Sequence, residues 1–312
     1  VLTATDLANR TDRARDAATA AARSLGVDVH DARVVYDVFS VVVDLAPAPV
    51  IARVPTVLPG SSTPESQRRL QVAELDVTRW LAARGEPTVV PSPLVPAEPV
   101  RADGFAMTFW QKVDGVVEPA LEMPERVRRT AHLHAVLRDY PGPVRYFTPF
   151  ADGFMADALA FLAERPDLLP ADDLDRARRE WAVLEPLATS EDALLERFPH
   201  AAPQVVHGDA PYYNLIETAD AVYYSDFEHV MRGPVEADLA HVGAEAVATY
   251  DAAAADLGLR PVDPALLAVV ERLRDLQVVG CLAMVDQLPM LAEGVKPSID
   301  AWRASEFAGG AV

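Results

Sequence analysis

The 312-residue sequence is poor in positive charge: 28 lysines and arginines stand against 47 aspartates and glutamates, a formal net charge of −19. Only two of the cations, Lys112 and Lys296, are lysines. A protein that follows a nucleic-acid backbone needs basic faces, so nucleic-acid binding is excluded as the expected role; the acidity suits a solvated surface or cationic ligands. The single cysteine, Cys281, rules out an intrachain disulfide, a cysteine zinc cluster and a CxxC redox pair. Beside Val278, Val279 and Leu282 it reads as a buried thiol on an apolar helix. No apolar run reaches the roughly 20 residues of a membrane helix, and residues 1–23 lack the organisation of a signal peptide, so no membrane association and a cytoplasmic location are expected. No internal repeat or low-complexity segment occurs. The GxGxxG, GxxxxGK and GxSxG patterns are also missing, which removes the glycine-rich phosphate cradles and the hydrolase elbow.

What is present is an ordinary globular composition, 50% hydrophobic and 24% charged, long enough for two domains or one two-lobed unit. An alanine-rich helix is expected from Thr5 to Leu25, stopped by Gly26. β-Branched runs at Val34–Tyr36, Phe39–Leu45 and Val50–Val54 read as strands, the last two joined across Ala46–Pro49 as a hairpin. A second helix, Glu65 to Arg84, places Leu70, Ala73, Val77, Trp80 and Leu81 at helical spacing. A Pro-rich stretch then leads to a strand at Gly104–Gln111. After Gly115 long helices are expected at Pro124–Leu137, Ala156–Ala163, Asp172–Leu195, Val235–Leu257 and Pro264–Leu291, interrupted by a β-like insert at Gln204–Phe227. This is an α+β pattern: a β-rich amino half, residues 1–112, and a helical carboxyl half, residues 113–312, with a cleft expected at the joint.

The insert carries the chemistry. His207-Gly208-Asp209-Ala210-Pro211-Tyr212-Tyr213-Asn214 is followed, across a turn at Ala219-Asp220, by Tyr224-Ser225-Asp226-Phe227-Glu228. Asp209 and Asn214 lie five residues apart, and Asn214 and Asp226 twelve. That order, a catalytic aspartate and then two oxygen ligands for a metal, is the arrangement kinases use. Phosphoryl transfer needs a carboxylate to accept the attacking hydroxyl's proton and hard oxygen ligands to fix magnesium against the phosphates.

The segment resembles the aminoglycoside-phosphotransferase and choline-kinase family, a branch of the protein-kinase-like fold in which HGD stands where protein kinases have HRD. Gly233-Pro234-Val235-Glu236-Ala237-Asp238-Leu239-Ala240 matches a further family segment, with Asp238 twelve residues beyond Asp226. The matching segments span about 35 residues strongly. The resemblance implies a two-lobed, protein-kinase-like fold with a nucleotide-binding amino lobe and an acceptor-binding carboxyl lobe. It implies that Asp209 is the catalytic base, that Asn214 and Asp226 hold magnesium, and that Asp238 accepts backbone N–H bonds from the catalytic loop. His207 reads as a packed anchor of that loop. Glu228 is either a structural partner or a group near metal or substrate. Tyr212 and Tyr213 either stack on a substrate or fill loop space.

On the nucleotide side the resemblance places a phosphate loop at Asp37-Val38-Phe39-Ser40, which contains no glycine. The basic strand residue falls on Arg53, where the family's expectation is a lysine, and arginine is larger and pairs in a planar fork. Glu74 would be its ion-pair partner, with Asp76 as a competitor. Ala106 to Gln111 resembles the strand and hinge that hold the base through backbone groups near Phe109 and Trp110. His132 and His134, two apart on a helix, point in different directions and do not form a metal pair.

The expected function is therefore transfer of the γ-phosphoryl group of ATP or GTP, with magnesium, to a hydroxyl of a small molecule. An aminoglycoside-like cationic acceptor is one such molecule, contacted by Glu228 and Glu236, and would connect the chain to antibiotic resistance. A non-catalytic nucleotide-binding protein of the same fold is the alternative. A protein kinase is disfavoured because no Asp-Phe-Gly to Ala-Pro-Glu activation segment follows Asp226. The sequence carries no signal for the oligomeric state.

Overall fold

A computed structural model describes residues 2–310. They form two compact units. The first takes residues up to Glu118 together with Ile216–Ser225 and Met284–Met290; the second takes Pro119–Leu215, Asp226–Ala283 and residues from Leu291 on.

The first unit is β-rich. Helix α1 (Ala4–Ser24) starts in a capping box between Thr3 and Asp6. Strands β1 (Val29–Asp37), β2 (Ser40–Pro47), β3 (Val50–Pro55), β4 (Val100–Ala102) and β5 (Phe105–Gln111) form one antiparallel sheet in the order β1-β2-β3-β5-β4. Strand alternation divides the sheet into two faces. Val41, Val43, Leu45, Val50, Ala52 and Val54 point to one face and have no exposed surface, because Ala14, Ala17, Ala18, Ala21 and Ala22 of α1 pack over them. Alanines along one helix face let α1 lie close to the sheet. The other face carries Val42, Asp44, Ile51, Arg53, Thr108 and Trp110, as the pairs Val42↔Arg53, Asp44↔Ile51, Ile51↔Trp110 and Arg53↔Thr108 require. Helix α2 (Pro64–Ala83) has Pro64 in its first turn and a capping box between Thr63 and Ser66.

In the second unit, α3 (Met123–Leu137) packs on α7 (Ala244–Asp256). Helix α8 (Pro264–Cys281) packs against α4 (Phe154–Ala163), α5 (Ala171–Thr189) and α10 (Lys296–Ala304). The short α6 (Glu191–Arg197) and α9 (Leu291–Gly294) complete the helices named here. Strand β6 (Gln204–Val206) pairs with β9 (Met231–Gly233); the hairpin of β7 (Leu215–Glu217) and β8 (Val222–Tyr224) belongs, from Ile216 on, to the first unit. Thr218 shapes that hairpin turn by accepting N–H bonds from Asp220 and Ala221. No helix of the described residues is long and apolar enough to cross a membrane.

Three expected helices are interrupted. The one from Asp172 to Leu195 breaks at Ser190, whose hydroxyl caps α6. The one from Val235 to Leu257 is a single 3-10 turn, Val235–Asp238, followed by a loop in which His241 and Gly243 have φ of 61° and 91° before α7 begins. The one from Pro264 to Leu291 ends at Cys281, and Met284–Met290 joins the first unit instead. There the Gln287 side chain accepts from the Leu58 N–H at 3.1 Å and donates to its carbonyl at 2.7 Å, and Arg10 donates to the Gln287 carbonyl.

Candidate active site

The residues of the His207–Asn214 loop gather in the second unit around one buried carboxylate. Asp238 is 1% exposed. Its Oδ1 accepts the Gly208 N–H at 2.7 Å; its Oδ2 accepts the His207 N–H at 2.9 Å and lies 2.9 Å from Nε2 of His134. Burial raises the pKa of such a group, but the bond and charge of His134, the proximity of His207 and the Gly208 N–H outweigh it and hold Asp238 below the ordinary carboxylate range. The other ring nitrogen of His134 meets the Tyr250 hydroxyl at 2.8 Å, so a chain of buried polar groups runs from α7 through α3 to the loop.

Gly208 is irreplaceable on steric grounds. Its φ is +89°, and a Cβ there would lie 2.0 Å from the carbonyl oxygen of His229. The His207 ring packs 4.6 Å from the Phe227 ring, both fully buried, which binds the catalytic loop to the Asp226-Phe227-Glu228 segment. Arg274 of α8 donates to the Gly208 carbonyl at 2.6 Å and to that of Ala237 at 3.0 Å. Burial weakens its hold on the proton while the charges of Asp209 and Asp238 strengthen it, and burial wins. Arg126 of α3 donates to the Tyr212 carbonyl, and the Tyr212 hydroxyl reaches the Ala240 carbonyl.

On this scaffold Asp209 is exposed. The Asn214 amide nitrogen donates to the Asp209 carbonyl at 2.6 Å, which turns the amide oxygen away from Asp209. Asp226 has φ 62°, a left-handed conformation that aspartate tolerates better than most residues. Tyr212 is buried, whereas Tyr213 is 68% exposed.

In the first unit, Arg53 Nη1 lies 3.2 Å from Glu74 Oε1, and both side chains are largely buried. Asp76 pairs with Arg79 instead. The Asp37–Ser40 turn is fastened: Asp37 bonds the Thr11 hydroxyl and faces Arg10 at 3.7 Å, and the Phe39 carbonyl accepts from Thr56 and Val57.

Two expectations are corrected by burial and bonding. Glu236 has no exposed surface, and both its oxygens are held by Arg260 at 2.6 Å while Oε1 also accepts the Asp263 N–H, so it fastens the start of α8 and cannot meet an acceptor. The Phe109 carbonyl accepts from Ser92, the Gln111 N–H goes to Val90, and Trp110 pairs with Ile51. The Phe109 carbonyl is thus already bonded and its ring is in the core, so neither is open to a base. Glu228 is partly exposed, 3.8 Å from His229.

His134, Tyr250, Arg126 and Arg274 were not assigned to the site from sequence. They lie on α3, α7 and α8, 36 to 81 residues outside the His207–Asn214 motif, and only the fold brings them to it.

The sequence profile of the phosphotransferase enzyme family matches residues 39–268, more than half of the chain. The chain belongs to that family. No curated protein sequence matches it. Among solved structures it is similar to the choline kinase LicA from Streptococcus pneumoniae, with a TM-score of 0.59 and 14% identity over 91% of this chain and 96% of that one. A choline/ethanolamine kinase family protein from Mesorhizobium loti gives 0.57 and 17% over 97% and 98%. APH(2")-IIia, solved as its complex with GDP and kanamycin, gives 0.55 and 14% over 91% and 98%. The fold is accordingly the α+β, protein-kinase-like fold of these enzymes.

Proposed function

We propose that the protein transfers the γ-phosphoryl group of ATP or GTP to a hydroxyl of a small molecule. The observation that carries this reading is the anchored loop: Asp238, Arg274 and Arg126 hold its backbone on both sides while Asp209 is left exposed at its apex. Asp209 orients the acceptor hydroxyl and takes its proton as the new oxygen–phosphorus bond forms and the nucleoside diphosphate leaves. Arg53, fixed by Glu74, neutralises the nucleotide phosphates.

Magnesium fits the donor set. Among the described residues no three histidine, cysteine, aspartate or glutamate side chains cluster as a metal cage. Magnesium characteristically takes one or two carboxylates and completes its shell with substrate phosphates and water. Asp226 and the amide oxygen of Asn214 would hold it, and it would neutralise charge on the phosphates.

The acceptor is best read as a molecule that carries an ammonium group. The net charge of −19 favours cations, and the exposed Tyr213 ring, four residues from Asp209, offers a cation–π face. Glu228, partly exposed, adds a negative charge to the same segment as Asp226. The relatives named above include choline kinases and a kanamycin complex, which sets the panel to test.

The fastened, glycine-free Asp37–Ser40 turn and Arg53 at the position of an expected lysine favour the alternative, a nucleotide-binding protein without transfer activity. A single experiment separates the two. Labelled ATP and GTP are incubated with magnesium and choline, ethanolamine, kanamycin, spectinomycin and sugars, using wild type and Asp209→Ala. Transfer that falls by about three orders of magnitude in Asp209→Ala, with nucleotide affinity retained, is the expected result. Nucleotide binding without transfer to any acceptor would support the alternative.

A further inference from the structure

We infer that Asp44 is a base-reading residue of the nucleotide subsite, accepting a hydrogen bond from the exocyclic amino group of a purine nucleoside triphosphate. The inference rests on the assignment of Arg53 to the phosphates.

The sheet face that carries Arg53 is built in rows. Val42, Arg53 and Thr108 form one row across β2, β3 and β5; Asp44, Ile51 and Trp110 form the next. Successive rows on one face are two residues apart, roughly 7 Å. A nucleotide whose phosphates meet Arg53 therefore places its sugar between the rows and its base over the second. The floor there is apolar and open: Val42 and Ile51 are partly exposed, whereas their neighbours on the opposite face are fully covered. Neighbouring strands lie about 4.8 Å apart, so the span from Asp44 through Ile51 to Trp110 is close to 10 Å, the width of a purine with its substituents.

Asp44 is an unusual residue for the middle of a strand and is 3% exposed. Its Oδ2 is 2.8 Å from Nζ of Lys112, one of only two lysines in the chain, and 3.4 Å from Arg33. Lys112 and Arg33 are themselves 35% and 63% exposed, so both have solvent as an alternative partner. A pair that served only to fasten β2 to the end of β5 would be complete with Oδ2. Oδ1, however, is buried and has no hydrogen-bond partner among the described residues. A buried carboxylate oxygen without a donor is costly, and such groups are normally satisfied. The phosphates cannot supply that donor, since they repel a carboxylate, and the sugar lies short of this row. An amino group on the base supplies an N–H, and the carboxylate's charge strengthens the bond.

Equilibrium binding to the full chain tests this without an acceptor. ATP is compared with purine riboside triphosphate, which lacks the 6-amino group, GTP with inosine triphosphate, which lacks the 2-amino group, and ATP with 2′-deoxy-ATP. The wild type should prefer at least one amino-bearing nucleotide over its counterpart by about tenfold or more. In Asp44→Asn the amide oxygen stays on Lys112 and the NH2 faces the base, so the preference should fall below about threefold while the affinity for tripolyphosphate is unchanged. Asp44→Val, which leaves no polar atom, should do the same. No amino preference in the wild type, a preference that survives both substitutions, or a preference that follows the 2′-hydroxyl would each overturn the inference. Absence of an amino preference in the wild type overturns the inference even if neither variant folds. Failure of the wild type to bind any of these nucleotides, or tripolyphosphate, would instead overturn the assignment of Arg53 on which the inference rests.

Discussion

Replacing Asp238 by asparagine changes no volume and removes one charge and one acceptor. The carboxylate serves three donors: Gly208 N–H on Oδ1, and His207 N–H and His134 on Oδ2. An asparagine can present its oxygen to only one of these positions. With the oxygen at the Oδ2 place, the NH2 confronts the Gly208 N–H; turned over, it confronts two donors. The better arrangement leaves one buried N–H without an acceptor, about 1–3 kcal/mol, and weakens two charge-assisted bonds to neutral ones, about 1 kcal/mol more. The expected loss is about 3 kcal/mol, measured as a shift of the urea midpoint at constant slope. Turnover should fall with it, because the loop loses the contact that fixes its backbone. The acid limb checks the cause. Since the folded-state pKa of Asp238 is lowered, its stabilisation is present above the unfolded value near 3.8 and lost as pH falls through the lower folded value. The variant should therefore close the gap with wild type at acid pH. A midpoint within about 0.5 kcal/mol of wild type at neutral pH would refute the claim that this carboxylate holds the loop.

Gly208→Ala should cost more than about 2 kcal/mol in the same assay, through the left-handed φ and the clash with the His229 carbonyl. Glu236→Gln should cost about 2–3 kcal/mol by unpairing Arg260, yet leave the acceptor KM unchanged; a raised KM with normal stability would restore Glu236 to the acceptor site. The bond to Asp275 raises the pKa of His241, which also faces Glu271, while Arg272 pairs with Asp275. Its stabilisation is therefore present below about pH 6.5 and lost as pH rises through the raised value. His241→Gln should lower the melting temperature at pH 6 and barely at pH 9, and an equal loss at both would contradict the pairing.

Part of the candidate site was legible from motif spacing and from the family resemblance that the motifs carry. The family resemblance pointed to Arg53 and to Glu74 as its partner, and strand alternation put Arg53 on one face with Ile51. The fixed intervals among Asp209, Asn214, Asp226 and Asp238 located the catalytic loop. The rest depends on information that spacing does not hold. Glu236 stands beside the motif like a substrate contact, and only its burial against Arg260, 24 residues on, reveals a structural carboxylate. His134 lies 104 residues from Asp238, and no local pattern announces the bond. The stretch from Val235 to Leu257 is rich in helix formers, but His241 and Gly243 at positive φ override that preference. Beyond Cys281 the apolar pattern continues, so periodicity alone could not show that Gln287 turns its amide to the backbone of Leu58.

That last contact bears on how the chain is made. The amino-terminal unit is not assembled from the first 118 residues alone; it draws on Ile216–Ser225 and on Met284–Met290. During synthesis the backbone of Leu58 emerges more than 200 residues ahead of the glutamine that satisfies it, and Arg10 waits as long for its carbonyl. The β-rich unit therefore stays unfinished on the ribosome until nearly all of the helical unit has been translated. A fragment ending at residue 118 should be a poor substitute for it, whereas one that appends the 284–290 segment through a short linker should be sturdier.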